Sequence, residues 1–186
     1  MRKWSWLLSS AALGSLALLM PACDADGVGD PCIPEEEHGP GFSGFAVSEV
    51  STESRSFQCQ SRLCLVNHFQ GRVSCPYGQS DEQANGEQAC QLPGSSDDVT
   101  APVRPQLLAR RVDQAVYCSC RCAGPDPSAR YCECPSGFSC SPVVPSFELG
   151  QEQLPGSYCI REGSAYVSQH INPAEVCDAT LQNCEP

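Results

Sequence analysis

After its first twenty-two residues the chain has no lysine, no methionine and no tryptophan. Over residues 23–186, 22 acids face 9 arginines, a formal charge of −13. A nucleic-acid binder needs cations to replace phosphate counterions, and the nearest thing to a basic patch is Arg110-Arg111. That excludes nucleic acid as a partner, and electrostatic attachment to anionic lipid with it. Large apolar residues are scarce too: 8 Leu, 3 Ile, 13 Val and 6 Phe make 30 of 164 residues, about 18%. Below roughly 20%, a highly charged chain stays disordered unless something besides its core holds it. Catalytic motifs are missing. No H-E-x-x-H, G-x-S-x-G or P-loop occurs, and His38, His68 and His170 lie far apart. The chain therefore reads as noncatalytic and without a cofactor. No C-x-x-C occurs either, which argues against a thiol oxidoreductase and against zinc-ribbon ligation.

What the chain has in place of these is cysteine. There are fifteen, an odd number that is awkward for an exported protein. Six fall in "YCSCRCAGPDPSARYCECPSGFSC", residues 117–140. Whether those sulfurs hold a metal, carry redox chemistry or staple the chain depends on the compartment. The amino terminus speaks to that. Met1-Arg2-Lys3 precedes "WSWLLSSAALGSLALLM", seventeen uncharged residues from Trp4 to Met20. A positive segment before an apolar one is the pattern of a secretory signal. Seventeen residues, diluted by four serines and a glycine, are short for a permanent bilayer span. A conventional cut after Ala22 would place Met20, which is too large, at the −3 position.

The junction "LLMPAC", ending at Cys23, resembles the lipobox of bacterial lipoproteins: Ala22 and Cys23 match, with Leu18-Leu19 close upstream. The resemblance implies that residues 1–22 are a signal peptide cut just before Cys23. It also implies that Cys23 takes a diacylglyceryl group on its sulfur, and often an acyl group on its new amine. Two or three acyl chains anchor a protein stably, where one binds only marginally. The membrane is then a partner through the acyl anchor, and the chain is exported and held in the bacterial cell envelope, at either membrane. In this it resembles the cysteine-rich lipoproteins of Gram-negative bacteria.

With lipid on Cys23, fourteen cysteines remain, enough for seven disulfides in an oxidising compartment. They are Cys32, Cys59, Cys64, Cys75, Cys90, Cys118, Cys120, Cys122, Cys132, Cys134, Cys140, Cys159, Cys177 and Cys184. At about 2–4 kcal/mol each, seven bridges can replace the missing apolar burial. Residues 23–31, the lipidated cysteine and "DADGVGDP", read as a short tether. The stretch "PGSSDDVTAPVRP" (93–105) has the composition of a linker, but parity argues against a boundary there. Five cysteines precede it and nine follow, so full pairing needs at least one bridge across it. Residues 32–186 are thus expected to be a single disulfide-rich domain with 93–105 as an internal loop.

The expected fold class is small and disulfide-rich, mostly β and loop, with short β-hairpins and a short C-terminal helix. Residues 61–75 ("SRLCLVNHFQGRVSC") read as a hairpin turning at Gln70-Gly71, and 157–167 as another turning at Glu162-Gly163. "PQLLARRVDQAVYC" (105–118) fits both a helical period and a strand alternation. In "NPAEVCDATLQNC", Asn172, Pro173 and Glu175 suggest a capped terminal helix.

Candidate chemistry is sparse. The C-x-C pairs allow an alternative in which Cys118, Cys120, Cys122, Cys132 and Cys134 form a thiolate cage for Zn²⁺ or Cu⁺. "CECPSGFSC" (132–140) resembles the closing half of an EGF-like module through Cys132, Cys134, Gly137 and Phe138. That implies a loop-rich extracellular style of fold. An EF-hand frame over Asp24, Asp26, Gly29 and Glu35 fails because Val28 stands where an oxygen ligand is needed. Glu35-Glu36-Glu37 reads as an exposed acidic run, and His68, with Asn67 and Arg72 close in sequence, as a polar strand or turn residue. The function expected is a lipid-anchored, noncatalytic binding or structural role at the envelope surface. The partner is an unidentified protein or surface ligand, met through loop 93–105 and hairpin 61–75. The alternative is a metal-binding lipoprotein using the thiolates of 118–134.

Overall fold

The structure is a computed structural model that describes residues 27–84, 86, 88–144 and 155–184. Cys23 and the signal segment lie outside the described residues. Two three-stranded antiparallel sheets organise the chain. The first has the order β1 (Val50–Glu53), β2 (Cys64–Asn67), β3 (Val116–Cys118); the second has β4 (Arg121–Ala123) and β5 (Phe138–Val144) flanking β6 (Gly156–Arg161). Pro142 sits in β5, an edge strand, where a missing N–H costs no ladder bond. This is the small, disulfide-rich, mostly β and loop fold that the composition implies.

Strand β2 is buried along its whole length and alternates between two cores. Cys64 and Val66 point to one side, among Cys32, Cys59, Phe45, Phe69, Val116 and Cys118. Leu65 points to the other and meets Tyr117 together with Tyr158 and Ile160 of β6, which joins the two sheets. Burying such a side chain contributes about 1.5–3 kcal/mol, and few are available. Bridges supply the rest.

All fourteen cysteines from Cys32 onward are paired: 32–64, 59–118, 75–90, 120–132, 122–140, 134–159 and 177–184. The crossing of 93–105 that parity demands is Cys59–Cys118. In both sheets a cysteine stands directly opposite another, Cys64 opposite Cys118 and Cys140 opposite Cys159. Neither couple bonds to itself, and each sulfur reaches a different segment instead.

Several local expectations are corrected. Residues 61–75 do not form a hairpin: β2 pairs with β1 and β3, and its end is marked by His68 in the left-handed region at φ 53. Gly71 does have the positive φ expected of it (88), for another reason. Its backbone is bonded to Phe45 in both directions, and a Cβ there would collide with the carbonyl of Arg104. It is a crossing point of three segments and not a turn.

At 157–167 the chain turns at Glu162-Gly163, but no second strand returns. Asn172 makes its cap contacts, accepting from the Ala174 amide at 3.1 Å and donating to Glu175 at 2.9 Å. The chain then continues as turns, because Val176 is drawn into a bridge with Leu107. The short helical element near the C-terminus is the 3₁₀ turn Ser168–His170. The ambiguous 105–118 satisfies both readings in succession: a 3₁₀ turn at Leu108–Arg110, helix α2 at Val112–Ala115 after a first helical turn α1 at Asp81–Ala84, then β3.

Loop 93–105 is tied down. The buried amide of Gln79 donates to the carbonyls of Val99 (2.8 Å) and Ala101 (2.7 Å) and accepts from the Cys90 amide (2.7 Å). Its backbone exchanges two further bonds with Val103, and Val99 and Val103 are buried.

Candidate functional site

The acidic run does not stay at the surface as a unit. Glu35 and Glu36 are exposed, but Glu37 is fully buried beside Arg72, equally buried, at 3.9 Å. The reason is local: the 3₁₀ turn Glu35–His38 points its third residue inward. The Glu37 carboxylate accepts from the amides of Val73 (2.5 Å) and Ser74 (3.0 Å) and from the Ser74 hydroxyl (2.8 Å). Arg72 donates to the carbonyls of Phe42 (2.9 Å), Gly39 (3.3 Å) and Glu37. Burial pushes the Glu37 carboxyl above its ordinary value, against the hydrogen bonds and Arg72, which pull it down.

The apparent basic patch dissolves similarly. Arg110 is buried and donates to the carbonyls of His68 (3.1 Å), Ser164 (2.6 Å) and Asn67. Only Arg111 faces solvent, with Asp113 at 3.7 Å. His68 stacks on Tyr166 at 3.8 Å, and its Nδ1 lies 3.0 Å from the Val47 carbonyl. Desolvation lowers its pKa, helped by the nearby Arg110 charge and opposed by the Val47 carbonyl. Arg72 and Arg110 clamp backbone carbonyls and Glu37 holds backbone amides, all three from buried positions.

The six sulfurs of residues 117–140 are divided among three groups. Cys118 lies with Cys32 and Cys59; Cys120 and Cys132 with Cys159; Cys122 and Cys134 with Cys140, each group within 4.8 Å. The five residues of the cage alternative are therefore not gathered around one point. Each sulfur is already in a bridge, and a bridged sulfur has no thiolate to offer a metal.

Two surface clefts are lined by described residues. One of about 520 Å³ is lined by Gly29 and Pro31, by Val112, Asp113, Val116 and Tyr117, and by Arg111, Arg161 and the segment 182–184. Arg161 is held there by its bond to the Gly29 carbonyl (3.3 Å) and by the rings of Tyr117 and Phe138. The second, about 570 Å³, lies between Ser43–Ala46 and Pro102–Pro105. Loop 93–105, expected as a contact surface, thus contributes its end to a cleft. Segment 61–75, expected as the other, contributes Leu63, Phe69 and Arg72 to the interior. The first cleft was missed because its walls span residues 29 to 184 and share no local motif.

No protein-family model, curated protein or solved structure matches the chain.

Proposed function

We propose that the chain is a lipid-anchored, cysteine-rich protein of the cell envelope with a noncatalytic role, binding a partner protein or surface ligand in a cleft kept rigid by disulfides. The observation that carries this reading is the cleft of about 520 Å³ beside the tether. Its walls are pinned from several directions. Gly29 donates to Cys118, Cys118 donates to Asp30, and Cys184 is bridged to Cys177. Walls fixed in advance lose little conformational entropy on binding. The anchor is supported by the Cys23 junction and by cysteine arithmetic, since the seven bridges use the other fourteen cysteines.

The metal alternative has one observation in its favour, the sulfur groups within 4.8 Å. Every group contains a bonded pair, so metal would have to follow reduction. Intact mass of protein extracted from membranes, before and after denaturing alkylation, tests the anchor and separates the two readings. The expected species starts at Cys23, carries acyl mass, takes no alkylator and holds no metal. An unacylated chain would remove the anchor, and bound metal with alkylatable thiols would favour the alternative. For the cleft, Asp113→Arg changes a side chain that is 65% exposed. A partner crosslinked to the wild-type protein should be lost with this variant, and undiminished crosslinking would place recognition elsewhere.

A further inference from the structure

Among the described residues Cys140 is the one exposed cysteine. It lies on the edge strand β5, bridged to Cys122. The sulfurs of Cys122, Cys140 and Cys134 are within 4.8 Å of one another, and Cys134 is bridged to Cys159. The Cys159 sulfur in turn lies 3.6 Å from that of Cys120 and 3.8 Å from that of Cys132, which are bridged together. Three disulfides therefore touch in series. Exposure falls from Cys140 at the surface through the half-buried Cys122 and Cys134 to Cys159 at 0%, and rises again through Cys120 at 8% to the half-buried Cys132. None of the four other bridges contains an exposed cysteine, although Cys90 is half-buried.

We infer that this series is a site for thiol–disulfide exchange that takes in a thiolate at Cys140 and passes the displaced thiolate through the buried middle of the ladder to its far end at Cys132. Exchange proceeds by attack of a thiolate on a disulfide sulfur through a mixed disulfide, and depends on access and on the leaving thiolate. An external thiolate attacks Cys140 Sγ, forms a mixed disulfide with it and releases Cys122 as thiolate. Cys122 then attacks Cys134 Sγ, making a 122–134 bridge and releasing the Cys159 thiolate. Cys159 attacks Cys120 Sγ, its nearer neighbour, making a 120–159 bridge and releasing Cys132. Every step exchanges one S–S bond for another. No electrons are gained or lost, and the incoming thiol is balanced by one thiolate emerging at Cys132, which is half-buried. The substrate class is a thiol able to reach an edge strand. The absence of C-x-x-C does not bear on this chemistry, because the attacking and resolving sulfurs come from different strands.

The test uses the full oxidised chain with substoichiometric glutathione under native conditions, acid quench, alkylation and peptide mapping without reduction. The expected products are a glutathione adduct on Cys140, alkylator on Cys132, and 122–134 and 120–159 linkages. Adducts arising first at the 75–90 or 177–184 bridge would overturn the inference, as would an adduct on Cys140 with the thiol remaining on Cys122. A second readout needs no external thiol. The variant Cys140→Ser leaves an odd cysteine at Cys122, and the ladder should transfer its free thiol to Cys132. A free thiol fixed on Cys122, with the other six bridges as in the wild type, would refute the relay. So would a Cys140→Ser protein with all its bridges scrambled, since the inference confines exchange to the ladder.

Discussion

Replacing Cys59 and Cys118 together by alanine removes the bridge that crosses loop 93–105. The bonded residues are 59 apart in sequence, but the 75–90 bridge already pinches off 15 of those residues. The effective loop is about 44 residues, for which loop-closure entropy gives about 4 kcal/mol at 25 °C. The same relation gives about 2.4 kcal/mol for Cys177 and Cys184, which are 7 apart. Both pairs are buried to the same degree, at 3% and 0% against 3% and 2% exposure. The cavity left by truncation is therefore similar and largely cancels in the comparison. The difference, about 1.6 kcal/mol, isolates the contribution of chain topology. At roughly 2–4 °C per kcal/mol for a chain of this size, the first double variant should melt roughly 3–6 °C below the second. Calorimetry without reductant, with the remaining bridges verified by peptide mapping, makes the comparison. Equal melting temperatures, or a larger loss from the 177–184 pair, would refute the argument that long closed loops carry this fold.

Other outcomes follow from the buried charges and from the bridges as a set. Arg72→Ala leaves the Glu37 carboxylate buried without its cation and three carbonyls without a donor, at a cost of about 3–5 kcal/mol in urea unfolding. Arg72→Lys should restore little of this, because one ammonium cannot reproduce the planar fork; full rescue by lysine would sink that reading. The His68 pKa is held below its ordinary 6.5 by burial. The unfolded chain therefore takes up this proton first as pH falls. Stability from His68 is complete above about 6.5 and declines as pH drops from there through the folded pKa. An imidazole NMR titration at or above 6.5, or a pH dependence unchanged in His68→Gln, would contradict this. Complete reduction should abolish cooperative unfolding, since the apolar residues are too few to hold the chain alone. Retention of near-ultraviolet circular dichroism in excess reductant would show otherwise.

Counts were legible in the sequence and addresses were not. Five cysteines against nine required a crossing of 93–105, and Cys59–Cys118 makes it. Parity cannot choose among partners, because pairing depends on which loops the sheets bring opposite Cys64, Cys118, Cys140 and Cys159. The hairpin at 61–75 was misread because Gly71 carries the same positive φ for a close crossing as for a turn, and only the neighbouring Phe45 and Arg104 distinguish the two. Glu37 was hidden for a related reason. Three consecutive glutamates look alike as a string, and a single 3₁₀ turn decides which one points inward. Arg110 could not be found from composition, since its acceptors are backbone carbonyls of residues 67, 68 and 164, which have no side-chain pattern. The first cleft draws on both ends of the described chain, and no window of sequence contains it.

The stitching of Gly29 and Asp30 to Cys118 also has a mechanical meaning. If the chain hangs from a membrane by Cys23, a tug on the body arrives first at those two hydrogen bonds and at the bond from Arg161 to the Gly29 carbonyl. Should they peel, the pull passes at once to Cys32, and through its bridge to Cys64 in the central strand of the first sheet. A covalent stop thus stands two residues behind the breakable one. Load on the leash would unzip a few residues of tether and go no further, leaving the remainder of the molecule in register while the anchor is strained.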